Sequence, residues 1–237
     1  MNTNPQDESQ PTVVLVHGAF ADASGWNGVI ERLQAEGVQI MAPANPLRGI
    51  SIDSAYIASL LEQIPGPVLA VGHSYGGAVI TNAATNANNV VGLVYVAAFA
   101  PDEGDSKDSV LNTALVPLQY PTGQGSETAV EFAIDPAKFH DAFAADLPAE
   151  QTAVMAATQR PIAELAFPEP SGVPAWKNLP SWAVVANGDK TVGSDVVRSM
   201  AERAGATITE VEGSHVIMIS QPQVVTDVIL RALKDVE

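Results

Sequence analysis

Residues 68–77 read Val68-Leu69-Ala70-Val71-Gly72-His73-Ser74-Tyr75-Gly76-Gly77, and the organisation of the chain follows from them. Four consecutive apolar residues predict a strand buried on both faces, as a parallel sheet provides. They run into Gly72-His73-Ser74-Tyr75-Gly76, a G-x-S-x-G pattern, and Ala78 to Ala84 then reads as a helix. A strand, a tight turn and a helix in that order hold a serine on a sharp bend, its hydroxyl lifted above the sheet edge. Gly72 and Gly76 suit so tight a turn because a Cβ at either place would collide with the neighbouring strand or helix. The helix begins at the serine, so its unpaired N–H groups and positive dipole end face any developing oxyanion. The competing reading is a Gly-rich structural turn with an idle serine. The strand before the motif and the helix after it favour a nucleophile.

Around this centre, 237 residues suffice for one large domain with a substantial core and an inserted subdomain. A composition of 46% hydrophobic and 16% charged residues is globular. No apolar run approaches the ~18–20 residues of a membrane helix. Met1 to Gln10 is polar and acidic and reads as a disordered tail rather than a secretory signal, which leaves a cytoplasmic location as the expectation. A net charge of −16 argues against nucleic acid and anionic membrane surfaces as partners. With no cysteine there is neither a disulfide framework nor a thiolate nucleophile. Four scattered histidines, His17, His73, His140 and His215, do not suggest a zinc cluster.

Taken in order, Thr12 to Val16 is a buried strand ending in the turn His17-Gly18-Ala19-Phe20. Ser24 is the expected N-cap of a helix from Trp26 to Leu33, closed by Gly37. A strand follows over 38–42, a helix over 52–63 stopped by Pro65-Gly66-Pro67, then the serine motif and an apolar strand from Val90 to Phe99. Strands alternating with helices of this length predict a parallel sheet with helices on both faces. The rhythm breaks at Pro101, and up to about Asn178 only helical pieces stand out, over 136–145 and 149–159. It resumes with a strand over 182–186, a helix over 195–204, a strand over 207–211 and a last helix over 223–233. The middle segment is thus expected as a cap over the carboxyl ends of the strands, where ligands bind in open α/β sheets. The expected divisions are a tail over 1–10, core over 11–100, cap over 101–178 and core over 179–237.

A serine hydroxyl needs a base to take its proton, and the base needs a carboxylate to hold its tautomer. On such a turn the partners follow in the order serine, acid, histidine. His73 lies inside the motif, His17 precedes the serine and is expected to brace the first turn, and His140 reads as a surface residue. His215, in the loop after the last strand, is the expected base. Asp189, in Asn187-Gly188-Asp189-Lys190, is the expected acid because its turn lies beside the His215 loop. Asp102 is the reserve, Glu103 its neighbour, and Asp195 reads as a helix N-cap.

The residues His17-Gly18-Ala19-Phe20, Trp26, Gly72 to Gly77, Asp189, Ser214-His215 and Ser220-Gln221-Pro222 give the chain a family resemblance along nearly all its length. It resembles the α/β-hydrolases, and within them the small cofactor-free bacterial esterases related to plant methylesterases and hydroxynitrile lyases. The resemblance implies an α/β fold: a mostly parallel central sheet flanked by helices, with a mainly helical cap inserted after the sixth strand. It also implies an oxyanion hole formed by the backbone N–H groups of Ala19 and Tyr75. The plant lyases carry a threonine and a lysine where this chain has Gly18 and Val216, so hydrolysis is expected rather than cyanohydrin cleavage.

The expected activity is a serine hydrolase cleaving a carboxylic ester or lactone, with Ser74, His215 and Asp189 as triad and no cofactor or metal. Phe20, Tyr75, Phe99, Phe143, Trp176 and Met218 are candidates for an apolar substrate pocket, each also readable as core. The expected partner is a small-molecule ester, with no nucleic acid and no membrane, and a homodimer left open. The alternatives are lyase chemistry on the same triad, or a ligand sensor with slow turnover.

Overall fold

The computed structural model describes residues 10–106, 114–122 and 127–237, so the tail expected over residues 1–10 lies, except for Gln10, outside the described residues. In chain order, β1 (Thr12–Val16) leads through a 3₁₀ turn (Ala23–Trp26) into α1 (Asn27–Ala35) and β2 (Ile40–Met41). Then come α2 (Ile50–Leu61), β3 (Val68–His73), α3 (Tyr75–Ala83) and β4 (Val90–Val96). An inserted region holds β5 (Leu115–Pro121), β6 (Thr128–Ile134), α4 (Pro136–Phe143), α5 (Ala149–Thr158) and β7 (Ile162–Ala163). The chain ends with β8 (Ser181–Ala186), α6 (Ser194–Arg203), β9 (Thr207–Val211), α7 (Ile217–Ser220) and α8 (Pro222–Val236).

The central sheet has the order β2-β1-β3-β4-β8-β9, and every neighbouring pair is parallel. β3 is buried along its whole length because β1 and β4 flank it and helices cover its faces, which is why its sequence is uninterruptedly apolar. Right-handed crossovers put α1 on one face and α2 and α3 on the other. α8 accordingly packs beside α1, and α3 beside α2. The order of strands reverses beside β1, and the carboxyl ends of β1, β3, β8 and β9 lead into the loops carrying Ala19, Ser74, Asp189 and His215.

Three local expectations are corrected. Asp22, not Ser24, caps the first helical turn: its carboxylate accepts the Ser24 amide at 2.8 Å, one residue ahead of the 3₁₀ turn. β4 ends at Val96 rather than Phe99, because Ala97 takes a φ of 44°. Asp195 lies in the first turn of α6 rather than at its N-cap, which is Gly193.

The insertion follows β4, the fourth strand rather than the sixth, since the described central sheet begins at Thr12 with no strand ahead of it. It contains the two expected helices and also a three-stranded antiparallel sheet, β5-β6-β7. Pro117 and Pro121 hid β5 from the sequence reading; they are tolerated because β5 is an edge strand. Among the described residues no helix is long and apolar enough to cross a membrane.

α3 runs very close to β1. A Cβ built on Gly76 would lie 2.3 Å from the carbonyl oxygen of Val16, a backbone atom that cannot turn aside. Gly76→Ala is therefore expected to cost about 3 kcal/mol or more, the upper end for overpacking. Urea unfolding of the purified variant checks this, and a loss under about 0.5 kcal/mol would contradict the close approach.

Candidate active site

Ser74 occupies the bend between β3 and α3 with φ 52° and ψ −123°, a conformation that L-residues rarely adopt. The bend is held from both sides: the Ser74 amide donates to the Val96 carbonyl at 3.3 Å, and the Ser74 carbonyl accepts the amides of Gly77 at 3.0 Å and Phe99 at 3.2 Å. Strain at the serine is thus fixed by hydrogen bonds to the next strand's end.

The Ser74 Oγ lies 2.8 Å from His215 Nε2, and His215 Nδ1 lies 2.8 Å from Asp189 Oδ2. A carboxylate only accepts, so Nδ1 carries the proton and Nε2 is free to accept from the serine hydroxyl. The second oxygen, Asp189 Oδ1, accepts the amides of Thr191 at 2.9 Å and Val192 at 3.1 Å. Burial pushes the Asp189 carboxyl up, but the neighbouring His215 and these hydrogen bonds outweigh it and hold the group below its ordinary value. Gly188 lets the two loops meet: its amide donates to the Gly213 carbonyl at 2.9 Å, and an added Cβ would lie 2.7 Å from that same oxygen. The structure therefore brings together the three residues singled out from the sequence.

Asp102, the reserve acid, is engaged elsewhere. It accepts from Lys177 Nζ at 2.7 Å and from the Glu103 amide at 2.8 Å, and the Lys177 hydrogen bond pulls its carboxyl below the ordinary value. Glu103 is exposed, and Asp195 pairs with Arg198 at 2.7 Å.

The first turn has its own brace. His17 Nδ1 donates to the Gly18 carbonyl at 2.9 Å, and Nε2 accepts the Asn45 amide at 2.9 Å. Burial lowers the pKa of His17 and keeps it neutral for this double role. Among the described residues the Ala19 amide has no partner, whereas the next amide, that of Phe20, donates to the Arg160 carbonyl at 3.0 Å. Tyr75 is anchored through its hydroxyl, which donates to Asp53 at 2.8 Å, while Asp53 also accepts the amide of Arg48 at 3.0 Å. Nothing in the sequence singled out Asp53; its one signal is its place in the first turn of α2, where carboxylates meet free amides.

The pocket expectations divide. Phe20, Tyr75 and Phe99 line a small chamber beside Ser74, together with Ala19, Ile162 and Phe167. Trp176 does not: its indole donates to the Pro101 carbonyl at 3.0 Å, which turns the ring to the base of the insertion beside Lys177. Phe143 packs against His215 with its ring tilted and centroids 5.2 Å apart, and is edge-on to Phe20 at 6.2 Å, so it covers the histidine rather than lining the chamber. Met218 lines a separate cavity. His140 is not a plain surface residue, since its Nδ1 pairs with Thr152 Oγ1 at 3.1 Å and ties α4 to α5.

Two contacts escaped the sequence reading. Asp146, between α4 and α5, accepts the Ser214 amide at 2.9 Å and the Ser214 hydroxyl, so it grips the residue before His215. His73, inside the serine motif, donates from Nε2 to the His215 carbonyl at 3.0 Å, with ring centroids 4.8 Å apart. Its position inside the serine motif was the available signal.

The sequence model of the alpha/beta hydrolase family matches residues 13–228. The chain belongs to that family. A carbendazim-hydrolysing esterase of Nocardioides sp. (strain SG-4G) is 32% identical over 117 residues, covering 44% of this chain and 48% of that protein. The match thus spans about half the length of that curated relative. Among solved structures, polyneuridine aldehyde esterase superposes with a TM-score of 0.79 at 21% identity, over 94% of this chain and 99% of the other. A methylesterase from Arabidopsis gives 0.74 at 22% identity, over 94% and 99%. A pyrethroid hydrolase from Sphingobium faniae JZ-2 gives 0.75 at 19%, over 94% and 97%. At these identities the likeness is one of fold.

The buried His73 yields a prediction about stability. Burial, followed by the neighbouring His215, drives its pKa from 6.5 down to about 3, so the folded chain refuses a proton that the unfolded chain accepts. Its contribution to stability is fully present above pH 6.5 and is lost as pH falls toward about 3. Over that window this one group should add up to about 1.4 kcal/mol per pH unit to the slope of unfolding free energy. His73→Gln should remove that share of the slope, measured by urea titrations between pH 4 and 7. An unchanged slope would mean His73 takes up its proton in the folded state.

Proposed function

We propose that this chain hydrolyses carboxylic esters through an acyl-enzyme. The observation that carries the reading is the buried, hydrogen-bonded run from Asp189 through His215 to Ser74, both links at 2.8 Å. Ser74 Oγ attacks the ester carbonyl while its proton passes to His215 Nε2. Asp189 holds the imidazole in the right tautomer and stabilises the imidazolium that forms. The carbonyl oxygen, now negative, sits between the amides of Ala19 and Tyr75, where a fixed pair of donors favours the transition state over the ground state. His215 gives its proton to the leaving alcohol oxygen, and the alcohol departs. A water then loses a proton to His215, attacks the acyl carbon and releases the acid, restoring Ser74. The names of the relatives, esterases and hydrolases of small organic molecules, support an ester as substrate class.

Hydrolysis is favoured over lyase chemistry by the room at Gly18, where an added Cβ would lie 2.7 Å from the Cβ of Ser74. A threonine of the lyase type has no space there. Val216, in the other diagnostic position, is fully buried and carries no charge.

Ser74→Ala should lower kcat on a good ester by on the order of 10³-fold or more while the fold is kept. Retained activity in the purified variant would overturn the mechanism. Asp189→Asn keeps the shape but favours the wrong tautomer, so kcat should drop by roughly 10³–10⁴-fold. Asp102→Asn, measured with the same ester, should stay within about tenfold of wild type. The reverse ranking would move the acid to Asp102.

A further inference from the structure

Two cavities meet at Phe20. The chamber beside Ser74 measures about 10 Å³ and has room for little more than one water. A second cavity, of about 120 Å³, lies between α5 and the segment just after His215. Its floor is apolar, from Met155, Val216, Met218 and Ile219, and its rim is polar, from Asp22 and Gln151. Phe20 is the one described residue that borders both. It is a bulky residue with a φ of 60°, a genuine outlier whose strain is held by the hydrogen bond from its amide to Arg160.

The chemistry tells the two spaces apart, given the esterase reading on which this inference rests. In the tetrahedral intermediate the carbon is bonded to Ser74 Oγ, and its negative oxygen faces the Ala19 and Tyr75 amides. The leaving oxygen must come within hydrogen-bond reach of His215 Nε2 to be protonated. The alcohol part therefore departs on the His215 side, and the acyl part lies on the other. The Ser74 chamber is walled by Ala19, Tyr75 and Phe99, whereas the lining of the second cavity includes Val216, the next residue in the chain after His215. Its rim carries the Asp22 carboxylate, which accepts both the amide and the hydroxyl of Ser24. A negative rim on a chain of net charge −16 disfavours an anionic group.

We infer that the cavity between α5 and Val216–Ile219 is the leaving-alcohol subsite, that Phe20 is the movable partition between it and Ser74, and that it takes neutral, apolar alcohols larger than methanol. When Phe20 turns, the two spaces join into one slot that holds the ester across the serine.

The test uses the full-length protein with methyl, butyl and hexyl acetate, and with methyl hexanoate as the acyl control. Met155, partly exposed on α5, is replaced to fill the cavity with Met155→Phe or to widen it with Met155→Ala. The hexyl-to-methyl acetate ratio of kcat/KM should fall about 10-fold in Met155→Phe and rise severalfold in Met155→Ala. The methyl hexanoate-to-methyl acetate ratio should move less than twofold in either. Equal hexyl-to-methyl ratios in all three proteins, with esters still turned over, would overturn the subsite and leave the esterase reading standing. A shift that follows methyl hexanoate instead would reassign the cavity to the acyl group and overturn the proposal. If wild type turned over none of the esters, the esterase reading would fall and the subsite with it. Should Met155→Phe fail to fold, the opposite shift expected for Met155→Ala still decides.

Discussion

The hydrogen bond from His215 Nδ1 to Asp189 Oδ2, at 2.8 Å, is the contact on which the site depends. It fixes the tautomer, and only that tautomer leaves Nε2 able to accept from Ser74. Everything around it serves to hold it. Two amides fix the far oxygen of Asp189, Gly188 lets the two loops touch, and His73 holds the His215 backbone from below. Burial pushes the Asp189 carboxyl up, and the neighbouring His215 together with the hydrogen bonds that position the carboxylate outweigh it, so the contacts that orient the group also favour its charged form.

The inserted region takes part in that arrangement. Asp146 grips Ser214 beside the histidine, the Ala142 carbonyl accepts the hydroxyl of Thr191 at 2.7 Å beside the acid, and the Arg160 carbonyl accepts the Phe20 amide beside the first turn. Each loop at the carboxyl edge of the sheet, other than the serine bend itself, is thus tied to α4, α5 or the residues after them. A cap attached this way cannot swing as a rigid lid without pulling on the histidine, the acid and the first turn together. Access to Ser74 is therefore more cheaply opened by a side chain such as Phe20 than by movement of the whole cap.

The central sheet and the three residues of the candidate triad were legible in the sequence because both rest on local patterns. An unbroken apolar strand before a G-x-S-x-G turn leaves few alternatives, and Asp189 and His215 each follow a strand that can be read directly. What escaped was set by contacts distant along the chain. Asp146 and Ser214 are 68 residues apart, and Asp53 and Tyr75 are 22 apart, with no pattern linking either pair. Strand β5 was hidden by its own Pro117 and Pro121, which a central strand excludes and an edge strand tolerates. The pocket candidates were legible as apolar and no further, because where Trp176, Phe143 and Met218 end up depends on which way a folded backbone turns them.

Backbone strain shows how these levels join. Among the described residues, the non-glycines with positive φ are Phe20, Leu47, Ser74 and Ala97. Each such residue costs on the order of 1–3 kcal/mol and persists only where its surroundings over-determine it. Ser74 and Ala97 are held by the sheet itself: the Ser74 amide reaches Val96, and the Ala97 amide donates to Val184 at 2.9 Å. Phe20 and Leu47 are held from the cap, by the Arg160 carbonyl and by the Ala163 amide, which donates to the Leu47 carbonyl at 2.9 Å. The serine bend is thus a property of the core, whereas the first turn, braced within the core by His17 and Asn45, is also held at Phe20 by Arg160 of the inserted region. Without that hold Phe20 would be free to relax, and the proposed oxyanion donor next to it would lose part of its aim although the triad remained in place. On the proposed mechanism, the inserted region thus helps to aim the donor that meets the developing charge, while the core holds the serine that generates it.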